Sequence, residues 1–121
     1  MRLTDFKILT FDVYGTLIDW ESGIVNALSE LTDQMSGHIS RDEILEAHAY
    51  FESSAQHWTP AKSYSNLLAT VYRRLAEHWQ VTVSWEDCIT YGQSVGAWPA
   101  FPDSSESLQY LKKHFFLAVL T

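Results

Sequence analysis

The chain has 121 residues, 46% of them hydrophobic with five Trp, and a formal net charge of −7 from 8 basic and 15 acidic residues. This composition excludes a disordered chain and works against nucleic acid or an anionic membrane as partner. No apolar stretch reaches the length of a membrane span, Met1–Asp5 lacks a signal-peptide core, and Cys88 stands alone, so the expectation is a disulfide-free cytoplasmic protein.

Lys7-Ile8-Leu9-Thr10-Phe11 is a short apolar run of the kind buried on both faces of a parallel sheet. It ends in Asp12-Val13-Tyr14-Gly15-Thr16-Leu17. A carboxylate where a strand stops sits at the carboxyl edge of the sheet, where open α/β folds place ligand sites. The same residues also suit an Asx turn with Gly15 supplying unusual dihedral angles, so both readings stand at this point. Gly15 alone makes no Gly-rich phosphate loop.

The period then becomes helical. Ile24, Leu28, Leu31 and Met35 share one face of a first helix. Ser40 and Glu43 form a capping box for a second, with Ile44, His48, Phe51 and Ala55 along one side. Pro60 breaks the chain. Tyr64, Leu67, Leu68, Val71, Leu75 and Trp79 make the strongest stripe, and Ser84 with Asp87 opens a fourth helix carrying Trp85, Cys88, Ile89 and Val95. These four helices form an all-helical insertion over residues 19–98. Asp103 and Glu106 mark the start of a helix over 104–114, with Lys112 and Lys113 as its basic last turn, and 115–121 reads as a second strand. His38, His48, His57, His78 and His114 are scattered, with no pair at metal-ligand spacing, so no metal site is expected. Two parallel strands leave Ile8 and Phe116 partly uncovered, and the chain is expected to be unstable, aggregation-prone or self-associating, a homodimer included.

Asp12-Val13-Tyr14-Gly15-Thr16-Leu17 after an apolar strand resembles the first motif of the haloacid dehalogenase (HAD) superfamily, most nearly that of the type II 2-haloacid dehalogenases. Pro99-Ala100-Phe101-Pro102-Asp103, then Leu108 and Leu111, then Phe116–Thr121, resembles that family's return from its cap into the second core strand. The resemblance implies an α/β fold: a partial Rossmann-like HAD core with two parallel strands (1–18 and 99–121) and an inserted all-helical cap (19–98). It makes Asp12 the nucleophile, with Thr16 beside it as a catalytic residue. Thr121, in the place of the second-motif Ser or Thr, and the main-chain N–H groups of Val13 and Tyr14 hold the substrate. The family's third-motif Lys and acidic cluster fall beyond Thr121, so the sequence reads as an amino-terminal portion, expected to be inactive by itself.

Tyr14 bears on the chemistry. The superfamily's phosphatases have a second Asp two residues after the nucleophile, on the same side of the strand end, to protonate the departing alkoxide. A phenol is a far weaker acid than a carboxylic acid. A halide needs no proton to leave, so Tyr14 damages phosphoester chemistry far more than carbon–halogen displacement. The expected reaction is attack of Asp12 on the halogen-bearing carbon of a short 2-haloacid, followed by hydrolysis of the aspartyl ester, with no cofactor. An apolar cover over Asp12 would strip water from its carboxylate. The family's dehalogenases draw off halide with a cap Arg, yet no Arg lies between Arg41 and Arg73. Two alternatives remain: a phosphatase holding Mg2+ through Asp12 and the Tyr14 carbonyl, or a non-catalytic module pairing through its helices.

Overall fold

The computed structural model describes residues 1–121. The elements follow as β1 (Ile8–Phe11), α1 (Trp20–Ala27), α2 (Ser29–Thr32), α3 (Arg41–Trp58), α4 (Tyr64–His78), α5 (Trp85–Gln93), α6 (Ser104–Leu111) and β2 (Phe116–Val119). A 3₁₀ turn, Leu3–Asp5, precedes β1, and another, Ser94–Ala97, follows α5. The chain forms two compact units, Met1–Ser22 with Trp98–Thr121, and Gly23–Ala97. The fold is mixed α/β, mostly helical, with two parallel strands.

In the first unit β1 and β2 pair in parallel, Ile8 opposite Phe116 through Phe11 opposite Val119. Both strands are shorter than the apolar runs that suggested them. Burial on both faces does not occur: Leu9 and Phe11 are half-buried, whereas Ile8 is 60% and Phe116 76% exposed. A two-stranded sheet has too few neighbours to cover both of its faces.

Asp103 precedes α6 but does not cap it. Its φ of −95° and ψ of −5° are helical, and its side chain makes no capping bond. Capping requires an extended backbone that aims the side chain at the first free N–H groups. The helix also ends earlier than expected, at Leu111, so Lys112 and Lys113 fall just past it.

The second unit holds most of the core. Leu67, Leu68, Val71 and Leu75 of α4 are at most 3% exposed, each burial contributing about 1.5–3 kcal/mol gross. α4 packs against both α3 and α5. Ser40 and Ser84 each accept a bond through the hydroxyl from the N–H three residues on, while the Glu43 and Asp87 carboxylates accept from the serine N–H groups in return. Those reciprocal bonds hold both carboxyls below the usual range, although both are exposed.

Two helical expectations change. The stripe Ile24, Leu28, Leu31 is buried, but Leu28 (φ −86°, ψ −2°) interrupts its helix, and Met35 lies in a turn. Along α5, Trp85 and Ile89 stay exposed at 50% and 40%; Cys88, Tyr91 and Gly92 are the buried positions. The rotation follows from Gly92, whose missing side chain lets the α5 backbone approach Ser65 and Ala69 of α4. α4 closes with a pair of bonds, Val81 N–H to Ala76 O at 2.9 Å and Gln80 N–H to Glu77 O at 3.2 Å, placing Gln80 at φ 58°.

Candidate functional site

Asp12 follows β1 directly and is exposed, as are Tyr14 and Thr16. Thr16 Oγ1 donates to Asp12 Oδ2 at 3.0 Å, which orients the carboxylate and leaves Oδ1 free of side-chain partners. Within its own unit the Asp12 carboxylate is open to water.

The loop's backbone explains this placement. The Val13 carbonyl accepts from the N–H groups of Thr16, Leu17 and Ile18, at 3.2, 2.8 and 3.0 Å. Gly15 donates back to the Ile18 carbonyl at 2.9 Å. Such a tight reversal takes Gly15 to φ 92°, a region L side chains avoid, and a Cβ there would lie 3.3 Å from Trp20 Nε1. Val13 N–H donates to none of the loop's carbonyls, which suits it to an anionic ligand.

A second segment clamps the loop from behind. Ser104 Oγ and the Phe101 N–H both donate to the Leu17 carbonyl, at 2.7 and 3.0 Å, and Asp19 N–H donates to Pro99 O at 2.8 Å. Asp19 in turn accepts from the Ser22 hydroxyl at 2.7 Å. Tyr14, 42% exposed, meets buried Trp98 edge-on, with ring centroids 6.0 Å apart. Sequence reasoning passed over Trp98 and Ser104; the signal for both was their place beside Pro99 and Pro102, where the chain re-enters the sheet.

Leu120 N–H donates to Phe11 O at 2.7 Å, extending the parallel ladder past β2. Thr121 comes next and is exposed. It therefore lies at the same edge of the sheet as Asp12, on the adjoining strand. Asp12, Val13, Tyr14, Thr16 and Thr121 thus share one sheet edge, with only the Asp12–Thr16 pair joined side chain to side chain.

The helical unit has a buried polar chain of its own, unforeseen from its stripes. Tyr91 OH and His48 Nε2 share a hydrogen bond of 2.6 Å, and His48 Nδ1 faces Glu52 Oε2 at 3.4 Å. Tyr64 OH also bonds Glu52. Burial alone would raise the Glu52 carboxyl, but the hydrogen bonds from His48 and Tyr64 outweigh it and leave it lowered. Burial pushes the Tyr91 phenol well up, so it stays protonated, and it raises the Cys88 thiol too. His48, placed by the sequence on the α3 stripe, is a satisfied core group at 1% exposure. Arg41 opens α3 and is exposed, Arg73 pairs with Glu77 at 3.4 Å, and Arg74 is exposed on α4.

Two solved structures share this arrangement. The L-2-haloacid dehalogenase PA0810 superposes with a TM-score of 0.73 at 21% identity, over 95% of this chain and 51% of its own. YfnB from Bacillus subtilis, described as a HAD-hydrolase and bound to magnesium, gives 0.65 at 13% identity, over 96% and 52%. The fold is the one that these haloacid dehalogenase and HAD-hydrolase structures have over the matched halves. The chain spans about half the length of these structures. No protein-family model matches the sequence, and no curated protein does. The paired strands and the 98–104 clamp match a partial core of that fold, and the Gly23–Ala97 helices match its helical cap. No helix is long and apolar enough to cross a membrane.

Proposed function

We infer that these residues carry the nucleophile of a HAD-type hydrolase that displaces halide from a short 2-haloacid. The observation that supports this most is the pairing of Asp12, held through Oδ2 by Thr16, with an aromatic at position 14 committed to Trp98. One carboxylate oxygen stays free to attack, and no carboxylic acid sits two residues on.

In the proposed reaction Asp12 Oδ1 attacks C2 of the substrate, the carbon–halogen bond breaks, and halide leaves with the bonding pair. Water then attacks the ester carbonyl, returning the Asp12 carboxylate and releasing a 2-hydroxyacid with a proton. Thr16 keeps the carboxylate aimed. Val13 N–H, Tyr14 N–H and the Thr121 hydroxyl supply donors for the substrate carboxylate, which accepts and never donates when ionised. Neither Tyr14 nor Thr16 is a base able to activate the water. The ester step calls on groups that the resemblance puts beyond Thr121, so turnover belongs to a polypeptide carrying them as well.

The likeness to a magnesium-bound HAD-hydrolase supports a second reading, a phosphatase. Tyr14 argues against it, because no carboxylic acid stands two residues after Asp12 to protonate a departing alkoxide. No cofactor is proposed, and the substrate is the only partner the reading requires.

The deciding experiment follows chloride release from 2-chloropropionate in a polypeptide carrying these residues and the later motifs. Asp12→Asn is expected to abolish it, and in heavy-oxygen water repeated turnover is expected to label the Asp12 carboxylate. Chloride release that survives Asp12→Asn refutes the nucleophile. Magnesium-stimulated phosphate release without chloride release moves the reading to the phosphatase.

A further inference from the structure

The faces of α3 and α4 that flank their connecting loop form a solvent-open cleft of about 350 Å³, the size of a small-molecule site. Phe51, Ser54, Ala55 and Trp58 line it from α3, at the spacing that stacks residues along one helical face. Thr70 and Arg74, four apart on α4, form the opposite wall, and Thr59 and Lys62 close the end.

The lining is unlike the rest of the chain. The whole carries 15 acids against 8 Lys and Arg, yet the cleft holds two cations and no acid. Nor are those cations spent elsewhere. Arg73, the neighbour of Arg74, is the one that takes Glu77, at 3.4 Å. Lys62 Nζ donates to Thr70 Oγ1 at 3.0 Å, which fixes the ammonium against α4 and leaves it two further N–H groups. The Thr59 and Thr70 hydroxyls already donate to the Ala55 and Asn66 carbonyls, at 2.7 and 3.4 Å, so the open donors are those of Lys62 and Arg74. Trp58 meets His57 edge-on with ring centroids 5.2 Å apart and still stays 78% exposed at the mouth, a large flat apolar surface.

We propose that this cleft binds a small organic anion, its carboxylate or phosphate held between Lys62 and Arg74 and its flat apolar body laid on Trp58 and Phe51. The two cations supply charge-assisted bonds, Arg74 in a planar fork that matches either oxyanion. The aromatic walls select a ligand with an apolar body over a bare inorganic ion. This site is separate from the Asp12 loop and does not depend on the reaction assigned there.

The test titrates the 121-residue chain with 2-naphthoate and phenyl phosphate, using inorganic phosphate as the body-less control. Heat of binding is one readout; the other is fluorescence of the wild type less that of Trp58→Phe. Both aromatic anions are expected to saturate at one site and to bind at least about ten-fold tighter than inorganic phosphate. Lys62→Met and Arg74→Met are each expected to weaken them by about ten-fold or more, as loss of a charge-assisted bond entails. Trp58→Ala is expected to weaken the aromatic anions and leave inorganic phosphate unchanged. Added salt should weaken wild-type binding and have little effect on Lys62→Met with Arg74→Met, an arm that needs no comparison of stabilities. The rival cations are Lys112 and Lys113, which line a different hollow. Binding lost in Lys112→Met with Lys113→Met but kept in the Lys62 and Arg74 variants overturns the proposal. So does the absence of saturable binding to the wild type.

Discussion

Gly92→Ala tests the packing of the helical unit at its tightest point. A Cβ on Gly92 would lie 2.2 Å from the Ser65 carbonyl oxygen, 3.2 Å from that carbonyl carbon and 3.3 Å from the Ala69 nitrogen. All three obstacles are α4 backbone, which cannot rotate aside as a side chain would. Relief requires α5 to retreat by about 1 Å, the strain expected of overpacking and worth about 1–3 kcal/mol. The retreat also stretches the 2.6 Å bond between Tyr91 and His48 towards the limit of a hydrogen bond. Leaving that buried pair unsatisfied costs about 1–3 kcal/mol more. Against this, Ala in a helix is favoured over Gly by about 0.5–1 kcal/mol. The net expectation is a loss of about 2–4 kcal/mol in urea unfolding, with weakened near-ultraviolet dichroism from the stacked Tyr72 and Tyr91 rings. A variant as stable as the wild type, or stabler, would show that the helical gain wins and that α4 and α5 are not in backbone contact.

Gln80→Gly should stabilise the chain by about 1 kcal/mol, because a glycine adopts the φ of 58° without the penalty an L side chain meets there; a lower thermal midpoint would refute this. The Glu52 carboxyl lies below its ordinary range when folded, so the unfolded chain takes up the proton first as pH falls. Its contribution is therefore complete above the ordinary glutamate range and is lost as pH drops through the folded value, and Glu52→Gln should flatten the acid limb of stability against pH. Ser104→Ala removes the 2.7 Å bond to the Leu17 carbonyl and should cost about 1 kcal/mol. The Phe101 amide, which shares that carbonyl, should then exchange its hydrogen faster; unchanged exchange would show that Asp19 and Pro99 hold the loop without Ser104.

What the sequence disclosed, and what it hid, follows the range of the interactions. The boxes at Ser40 and Ser84 span three residues and were plain to read, because each is complete within one turn. The α4 stripe was equally legible, since periodicity alone defines a buried face. The buried face of α5 was not, because the glycine that turns it depends on the Ser65 carbonyl, 27 positions earlier in the chain. Asp103 carried the right residue type for a cap in a backbone conformation that forbids one. At the sheet edge, the Asp12–Thr16 bond lies within five residues and could be anticipated, whereas the clamp from Ser104 joins residues 87 apart. Trp98 was invisible as Tyr14's partner for the same reason.

The edge loop also links its shape to its chemistry. Gly15 is forced to positive φ with Trp20 close beside it, and Tyr14 rests edge-on against Trp98, so two tryptophans bracket the turn that presents Asp12. The Tyr14–Trp98 contact is worth about 0.5–1.5 kcal/mol beyond the area it buries. An acid at position 14 would surrender that contact and put a second carboxylate near the first, raising one of them or repelling an anionic substrate. A leaving group that departs without a proton makes no demand for such an acid. The aromatic therefore serves packing at a position where phosphoester chemistry would need a proton donor, and the proposed halide chemistry makes no demand on this loop that its packing denies.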